Sequence, residues 1–164
     1  MEGPILSEQE VDDFIIVRAA ALVSEVQRSV SRNVLREENL PLLEWRLLFC
    51  IARFGACHLA YITQRTYIDP AHGSRAATAL EKKGLIARRD DPENRRRKVM
   101  TLTPEGVALF ERVWPKAQGN IARITSQLDP QDFETLKRLL DLANEAAQRA
   151  GDTVPLNDRS EDAA

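Results

Sequence analysis

The sequence is short of the residues that several common architectures require. Two cysteines, Cys50 and Cys57, among 164 residues cannot build a disulfide framework and lack the four-ligand spacing of a zinc site, so a reducing cytoplasm is the expected compartment. Seven glycines and eight prolines are too few for a glycine-rich sandwich or a low-complexity chain. The longest uninterrupted apolar run, Leu47 to Ala52, is six residues, against the roughly 20 needed to span a bilayer. The opening segment, MEGPILSEQEVDDFIIV, holds acids where a secretory leader holds bases, and no targeting segment or membrane partner is expected. Two histidines, with no phosphate-binding glycine loop, no HExxH pair and no nucleophile arrangement, argue against an enzyme; no catalytic residue, cofactor or metal is expected. A net charge of -2 closes the wholly basic or wholly acidic routes to a charged partner at the level of totals.

What is present is helical periodicity. Apolar residues recur at Val11, Ile15, Ala19, Leu22, Val26, Val30 and Val34, which predicts one unbroken helix from Ser7 to about Arg36. Such a helix, about 40 Å long, presents a stripe that a small domain alone does not cover. A second helix is expected from Pro41, in its first turn, to Gly55, and a short third from about His58 to Thr66. Asp69-Pro70 reads as an N-cap followed by proline at the first position of a fourth helix, ending at Lys83-Gly84. Spacing of 100° per residue puts Gly73, Ala76, Ala77, Leu80 and Gly84 on a small apolar face. Arg75, Thr78 and Lys82 project opposite with Ala71, and His72 and Ser74 flank them.

The period then becomes extended. LIARRD and RRRKVMTLT predict two strands around the turn DPEN. Thr103-Pro104-Glu105 caps a long helix, expected to bend at Pro115, and Asp129-Pro130 starts a last helix expected to bury Phe133, Leu136, Leu139, Leu140, Ala143 and Ala147 before ending at Gly151. The fold class is mainly α with a small β-hairpin.

Charge is not spread evenly over these elements. From Arg65 to Lys98 there are ten basic and five acidic residues, a net of +5. The rest of the chain, with 13 basic and 20 acidic residues, carries -7. Charge runs are usually solvated faces, but a helix, turn, helix and hairpin with local positive potential is what a phosphate backbone selects.

Ordered along the chain are Leu40, Glu44-Trp45-Arg46-Leu47-Leu48, His58-Leu59-Ala60, Ser74-Arg75, Leu80-Glu81-Lys82-Lys83-Gly84-Leu85-Ile86, Asp91-Pro92-Glu93-Asn94-Arg95-Arg96 and Leu102-Thr103-Pro104-Glu105-Gly106. In this order and spacing the chain resembles the multiple-antibiotic-resistance regulator (MarR) family of winged helix-turn-helix transcription factors, over roughly residues 10 to 150. The resemblance implies a cytoplasmic homodimer on double-stranded DNA at a pseudo-palindromic operator, with a winged helix-turn-helix flanked by long dimerisation helices. It divides the chain into an N-terminal dimerisation helix (1–40), the DNA-binding region (41–103), C-terminal dimerisation helices (104–150) and a mobile acidic tail (151–164).

On that reading the fourth helix enters a major groove about 12 Å wide. Arg75 is the first candidate for a base contact, because a guanidinium can hold guanine O6 and N7 together; Ala71, His72, Ser74 and Thr78 share its surface. For His72 a partly exposed helical histidine near phosphate is the alternative. Arg95, Arg96, Arg97 and Lys98 suit the DNA backbone or minor groove. Arg96 occupies the family's wing-tip arginine position. Asn94 stands where the family often has an aspartate, and Pro70-Ala71-His72-Gly73 replaces its usual hydroxyl-bearing residues and valine, so backbone N–H groups at the helix start are the expected phosphate donors there.

The family further implies repression relieved by a small, often aromatic or phenolic, anion, or in some members by cysteine oxidation. Arg18, Trp45, Arg46, His58 and Tyr61 are candidate cleft residues, since rings and a guanidinium suit an aromatic carboxylate; for Trp45 a core role is simpler, and for the others both roles stand. His58 at a helix start also reads as structural. Cys50 is expected buried and Cys57 accessible. The competing class is a winged-helix protein-interaction module without specific DNA binding, which gives no reason for arginines on both the recognition face and the hairpin.

Overall fold

The structure, a computed structural model, describes residues 14–66, 68–94 and 97–153, without the side chains of 151–153. The apolar position Val11, and the tail beyond Thr153, lie outside them. The chain forms two compact units, one through Ile121 and one from Ala122.

In the first unit, helix α1 (Ile15–Val30) passes directly into a π-helical turn, Ser31–Leu35, whose wider winding is marked by Arg36 N donating to Ser31 O at 3.1 Å. The helix expected here is therefore continuous through Leu35, with its last turn wound as π rather than α. The wider turn lets the consecutive residues Val34 and Leu35 both reach the core, at 2% and 1% exposure. Next to it, the buried amide of Asn120 is satisfied by Ser29 and Asn33. Among the described residues no buried side-chain nitrogen or oxygen lacks a hydrogen-bond partner.

Helix α2 (Leu42–Phe54) starts one residue later than expected, with Pro41 as its N-cap, and Gly55 ends it at φ 72°. Trp45, Leu47, Leu48, Cys50 and Ile51 put its apolar face into the core. The predicted third helix is also revised at its start. Cys57–His58 form a short strand, β1, and helix α3 runs Leu59–Thr66. Helix α4 (Pro70–Lys82) follows, then β2 (Ile86–Asp90), β3 (Lys98–Leu102) and α5 (Pro104–Thr125). The expected hairpin is thus a three-stranded antiparallel sheet in the order β1-β3-β2, with Cys57 opposite Met100 and His58 opposite Val99.

Helix α5 begins where Thr103 Oγ1 accepts from Gly106 N at 3.0 Å, and it runs through Pro115 without interruption. At Gly106 a Cβ would lie 1.9 Å from the carbonyl oxygen of Leu85, so only glycine fits so near that backbone. An aromatic stack joins α5 to α2: Trp45 on Phe110 with ring centroids 5.6 Å apart, and Phe110 on Trp114 at 5.8 Å.

In the second unit, helix α6 (Pro130–Thr153) continues past Gly151, the expected end. Its apolar residues are not buried as expected. Phe133 and Leu136 are partly covered, while Leu139, Leu140, Ala143 and Ala147 are exposed. Periodicity finds an apolar face but does not supply its cover. Outward apolar residues are also concentrated at the start of α1, where Ile15 and Ile16 are 68% and 61% exposed. Among the described residues no helix is long and apolar enough to cross a membrane.

Candidate nucleic-acid interface

Helix α4 is set by a local device and by a packed face. Asp69 Oδ1 accepts from His72 N at 2.9 Å, with Pro70 at the first helical position. That backbone hydrogen bond outweighs the cost of desolvation and, with the His72 ring and Arg75 nearby, holds the Asp69 carboxyl below its ordinary value. Gly73, Ala76, Ala77 and Leu80 are buried, as their spacing predicts, while Gly84 is exposed and instead turns the chain toward β2 at φ 70°. Ala71, His72, Ser74 and Arg75 face solvent, and Thr78 is half-buried.

The helix is tied to the hairpin by a residue the sequence reading does not single out. Arg88, on β2, donates from Nε to Glu81 Oε2 at 2.8 Å and again to the same oxygen from Nη2, which also reaches Thr78 Oγ1 at 3.3 Å. The Arg88 hydrogen bond exceeds the effect of burial and keeps the Glu81 carboxyl below its ordinary value. Thr78 and the adjoining strand are therefore one surface. Alternation along β2 could have separated Arg88 from Arg89, but not shown that Glu81 meets Arg88.

On β3, Lys98 pairs with Asp90 across the hairpin, and both are exposed. Arg97 is exposed beside it. Arg95 and Arg96 lie outside the described residues. Among the described residues Arg75, Lys82, Arg89 and Arg97 form no ion pair within 4.0 Å, unlike Lys83, Arg88 and Lys98. Ser74, Arg75, Thr78, Ala79 and Lys82 border a shallow hollow on the outer face of α4.

The five candidate cleft residues do not converge. Trp45 is 7% exposed and spends its ring in the aromatic stack. Arg46 Nη2 donates to Thr66 O at 2.9 Å, fastening the end of α3 to α2. Arg18 is exposed on α1. His58 and Tyr61 do share a hollow of about 540 Å³, with Gln64, Arg88 and Arg97 among its walls. Tyr61 is edge-on to Phe54 at 5.3 Å, and the Arg65 guanidinium lies 3.9 Å from its ring centre. His58 lies on β1 rather than opening a helix, with its ring against the hairpin.

Cys57 is corrected as well: pairing of β1 with β3 turns its side chain inward, leaving it 7% exposed beside Cys50 at 5%. Burial pushes both thiols above the ordinary thiol range, the Cys50 sulfur adding to the effect at Cys57 and Arg46 and Arg53 opposing it at Cys50. Among the described residues no group of three or more histidine, cysteine or acidic side chains could hold a metal ion.

The MarR family model matches residues 40–98. A transcriptional regulator of the helix-turn-helix type from Bacillus subtilis, YhbI, is 27% identical over 113 residues, covering 69% of this chain and 73% of its own. The homoprotocatechuate degradative operon repressor of Escherichia coli is 24% identical over 117 residues, 71% of this chain and 79% of its own. Among solved structures, Bordetella bronchiseptica BpsR, described with regulation of its DNA binding by 6-hydroxynicotinic acid, superimposes with a TM-score of 0.67 at 27% identity, covering 77% of this chain and 98% of that one. Residues 40–98, from the residue before α2 through the first residue of β3, thus match the MarR family model, and over them the helices and the hairpin have the order of a winged helix-turn-helix.

Proposed function

We propose that the protein is a homodimeric, sequence-specific DNA-binding transcriptional regulator, acting as a repressor that a small aromatic or phenolic ligand releases. The observation that carries this reading is the common surface made by the outer face of α4 and the hairpin. Arg75 and Lys82 on the helix, with Arg89 and Arg97 on the strands and turn, lack acidic partners among the described residues, although acids neutralise their neighbours. Cations left without internal partners suit phosphate and base edges. Ala71, His72, Ser74 and Thr78 share the groove-facing side with Arg75, and Arg95 to Lys98 contact the backbone or minor groove.

Residues 1–40 and 104–150 supply the dimer arms, 41–103 the reading head and 151–164 the acidic tail. The exposed apolar residues of α1 and α6 support that division, because side chains such as Ile15, Ile16, Leu139 and Leu140 lose water only against a partner. A dimer places two reading heads on one duplex about 34 Å apart. A chromosomal partner also keeps the protein in the cytoplasm.

Ligand control rests on the hollow beside His58 and Tyr61, whose ring, tyrosine hydroxyl and neighbouring arginines suit an aromatic carboxylate or phenolate. BpsR is described with regulation of its DNA binding by 6-hydroxynicotinic acid, and the Escherichia coli repressor is named for a homoprotocatechuate degradative operon. The test is selection of duplexes from a randomised pool by the full chain, followed by binding with and without aromatic acids. Enrichment of a two-fold symmetric sequence supports the reading. A pool that stays random while the protein captures another protein instead supports the interaction-module alternative.

A further inference from the structure

His58 stands where β1 meets the hairpin. Its backbone is opposite Val99, and its ring reaches two oxygens: Nδ1 is 3.1 Å from the carbonyl oxygen of Lys98, and Nε2 is 3.1 Å from Asp91 Oδ2. A peptide carbonyl and a carboxylate both accept hydrogen bonds and donate none. A neutral imidazole has a single N–H, so it serves one of these oxygens and turns a lone pair toward the other. The imidazolium donates to both.

Asp91 in turn shapes the hairpin turn. Its Oδ1 accepts from Glu93 N at 2.9 Å, its backbone N donates to Arg97 O at 3.1 Å, and its carbonyl accepts from Asn94 N at 3.1 Å. The carboxylate that forms the turn is thus the group His58 holds to the body of the domain. Only 16% of the Asp91 side chain and 30% of the His58 side chain are exposed, so water competes weakly for this contact.

We propose that His58 is a positioning residue for DNA binding: a proton-dependent latch that, when charged, fixes the Asp91 turn and with it the placement of Arg97 and Lys98. The proposal rests on the DNA-binding reading above. Histidine is the side chain that ordinarily changes charge between about pH 5 and 8. The charged groups that face the ring are Asp91, Arg88, Arg97 and Lys98. Arg88 and Lys98 are offset by Glu81 and Asp90, and burial keeps the neighbouring Cys57 a neutral thiol.

The experiment measures the affinity of the full-length protein for a duplex selected from random sequence, at fixed salt, from pH 6 to 8. It compares wild type with His58→Leu, Asp91→Asn and His72→Gln. Wild type is expected to bind about five- to tenfold tighter at pH 6 than at pH 8, the worth of one hydrogen bond of about 1–1.4 kcal/mol. His58→Leu and Asp91→Asn lose that slope, and His72→Gln keeps it, which separates the latch from a histidine that merely lies near phosphate. In the free protein, amide exchange at the Asp91 and Arg97 backbone bonds, corrected for intrinsic rate, is slower at pH 6 than at pH 8 in wild type and His72→Gln but not in His58→Leu or Asp91→Asn. A wild-type slope in His58→Leu, or wing exchange that ignores His58, overturns the latch. If no duplex is selected, the DNA reading fails and exchange in the free protein alone decides the latch.

Discussion

Lys83 Nζ, at the C-cap of α4, lies 2.7 Å from Glu44 Oε2 on α2 and 3.3 Å from the carbonyl oxygen of Asn39. The Glu44 side chain is only 10% exposed, and this lysine is its ion-pair partner. One end of α4 is thereby anchored to α2, while Arg88 and Glu81 tie its flank to the hairpin.

Replacing Lys83 with methionine keeps the bulk and removes the charge. It leaves the Glu44 carboxylate unpaired and should lower stability by about 1–3 kcal/mol, read as the midpoint of a urea melt. The double variant with Glu44→Gln should recover part of the loss. Additive losses in the two variants contradict a direct pairing.

At Gly106, alanine places a methyl group 1.9 Å from the Leu85 carbonyl oxygen, a backbone atom that has no room to yield. The start of α5 must shift away from the strand that follows α4. We expect Gly106→Ala to destabilise by about 2–4 kcal/mol, while Gly119→Ala, where a Cβ meets nothing within 4 Å, is neutral or slightly stabilising. Equal melting temperatures for the two variants contradict the close approach.

On the proposed reading Arg75 contacts bases and Arg97 the DNA backbone. Arg75→Ala should cost about 1–3 kcal/mol on the selected duplex and much less on a random one, reducing base preference. Arg97→Ala should weaken both duplexes similarly and lower the salt slope by about one. Equal losses on both duplexes for the Arg75 variant remove its base-reading role.

Because burial raises both thiols, Cys50 and Cys57 remain protonated at neutral pH and are poor nucleophiles. Alkylation of the native protein at pH 7 should be at least tenfold slower than of the urea-unfolded chain, and should accelerate only as the pH rises beyond the usual thiol range. Peroxide at pH 7 should leave DNA binding unchanged. Rapid native-state modification of Cys57 would contradict this inward placement.

The parts of the fold legible in the sequence are those that neighbouring residues decide. The Asp69-Pro70 cap and the apolar face of Gly73, Ala76, Ala77 and Leu80 follow from spacing within one helix. Strand β1 is not legible, because two residues have no periodicity and are extended only through pairing with Met100 and Val99, over forty positions away. Its absence from the reading also misplaces Cys57 and His58. The glycine of Leu102-Thr103-Pro104-Glu105-Gly106 is visible as a motif, whereas its reason, the Leu85 carbonyl, is tertiary. Likewise Arg75 can be named from its helix face, but Arg88 acquires its role only through Glu81 and Thr78 on another element. Residues 95 and 96 of the expected basic wing fall outside the described structure, so the observed surface rests on Arg75, Lys82, Arg89 and Arg97.

The central claim is that these cations form a DNA-reading surface in a dimer. The direct measurement is titration of the selected duplex with full-length protein at several salt concentrations, with the mass of the complex determined at saturation. The account predicts two chains per duplex, a selected-over-random preference of at least about a thousandfold, and affinity falling steeply and linearly on logarithmic axes as salt rises. Binding that is insensitive to salt, or equal on selected and random duplexes, contradicts it.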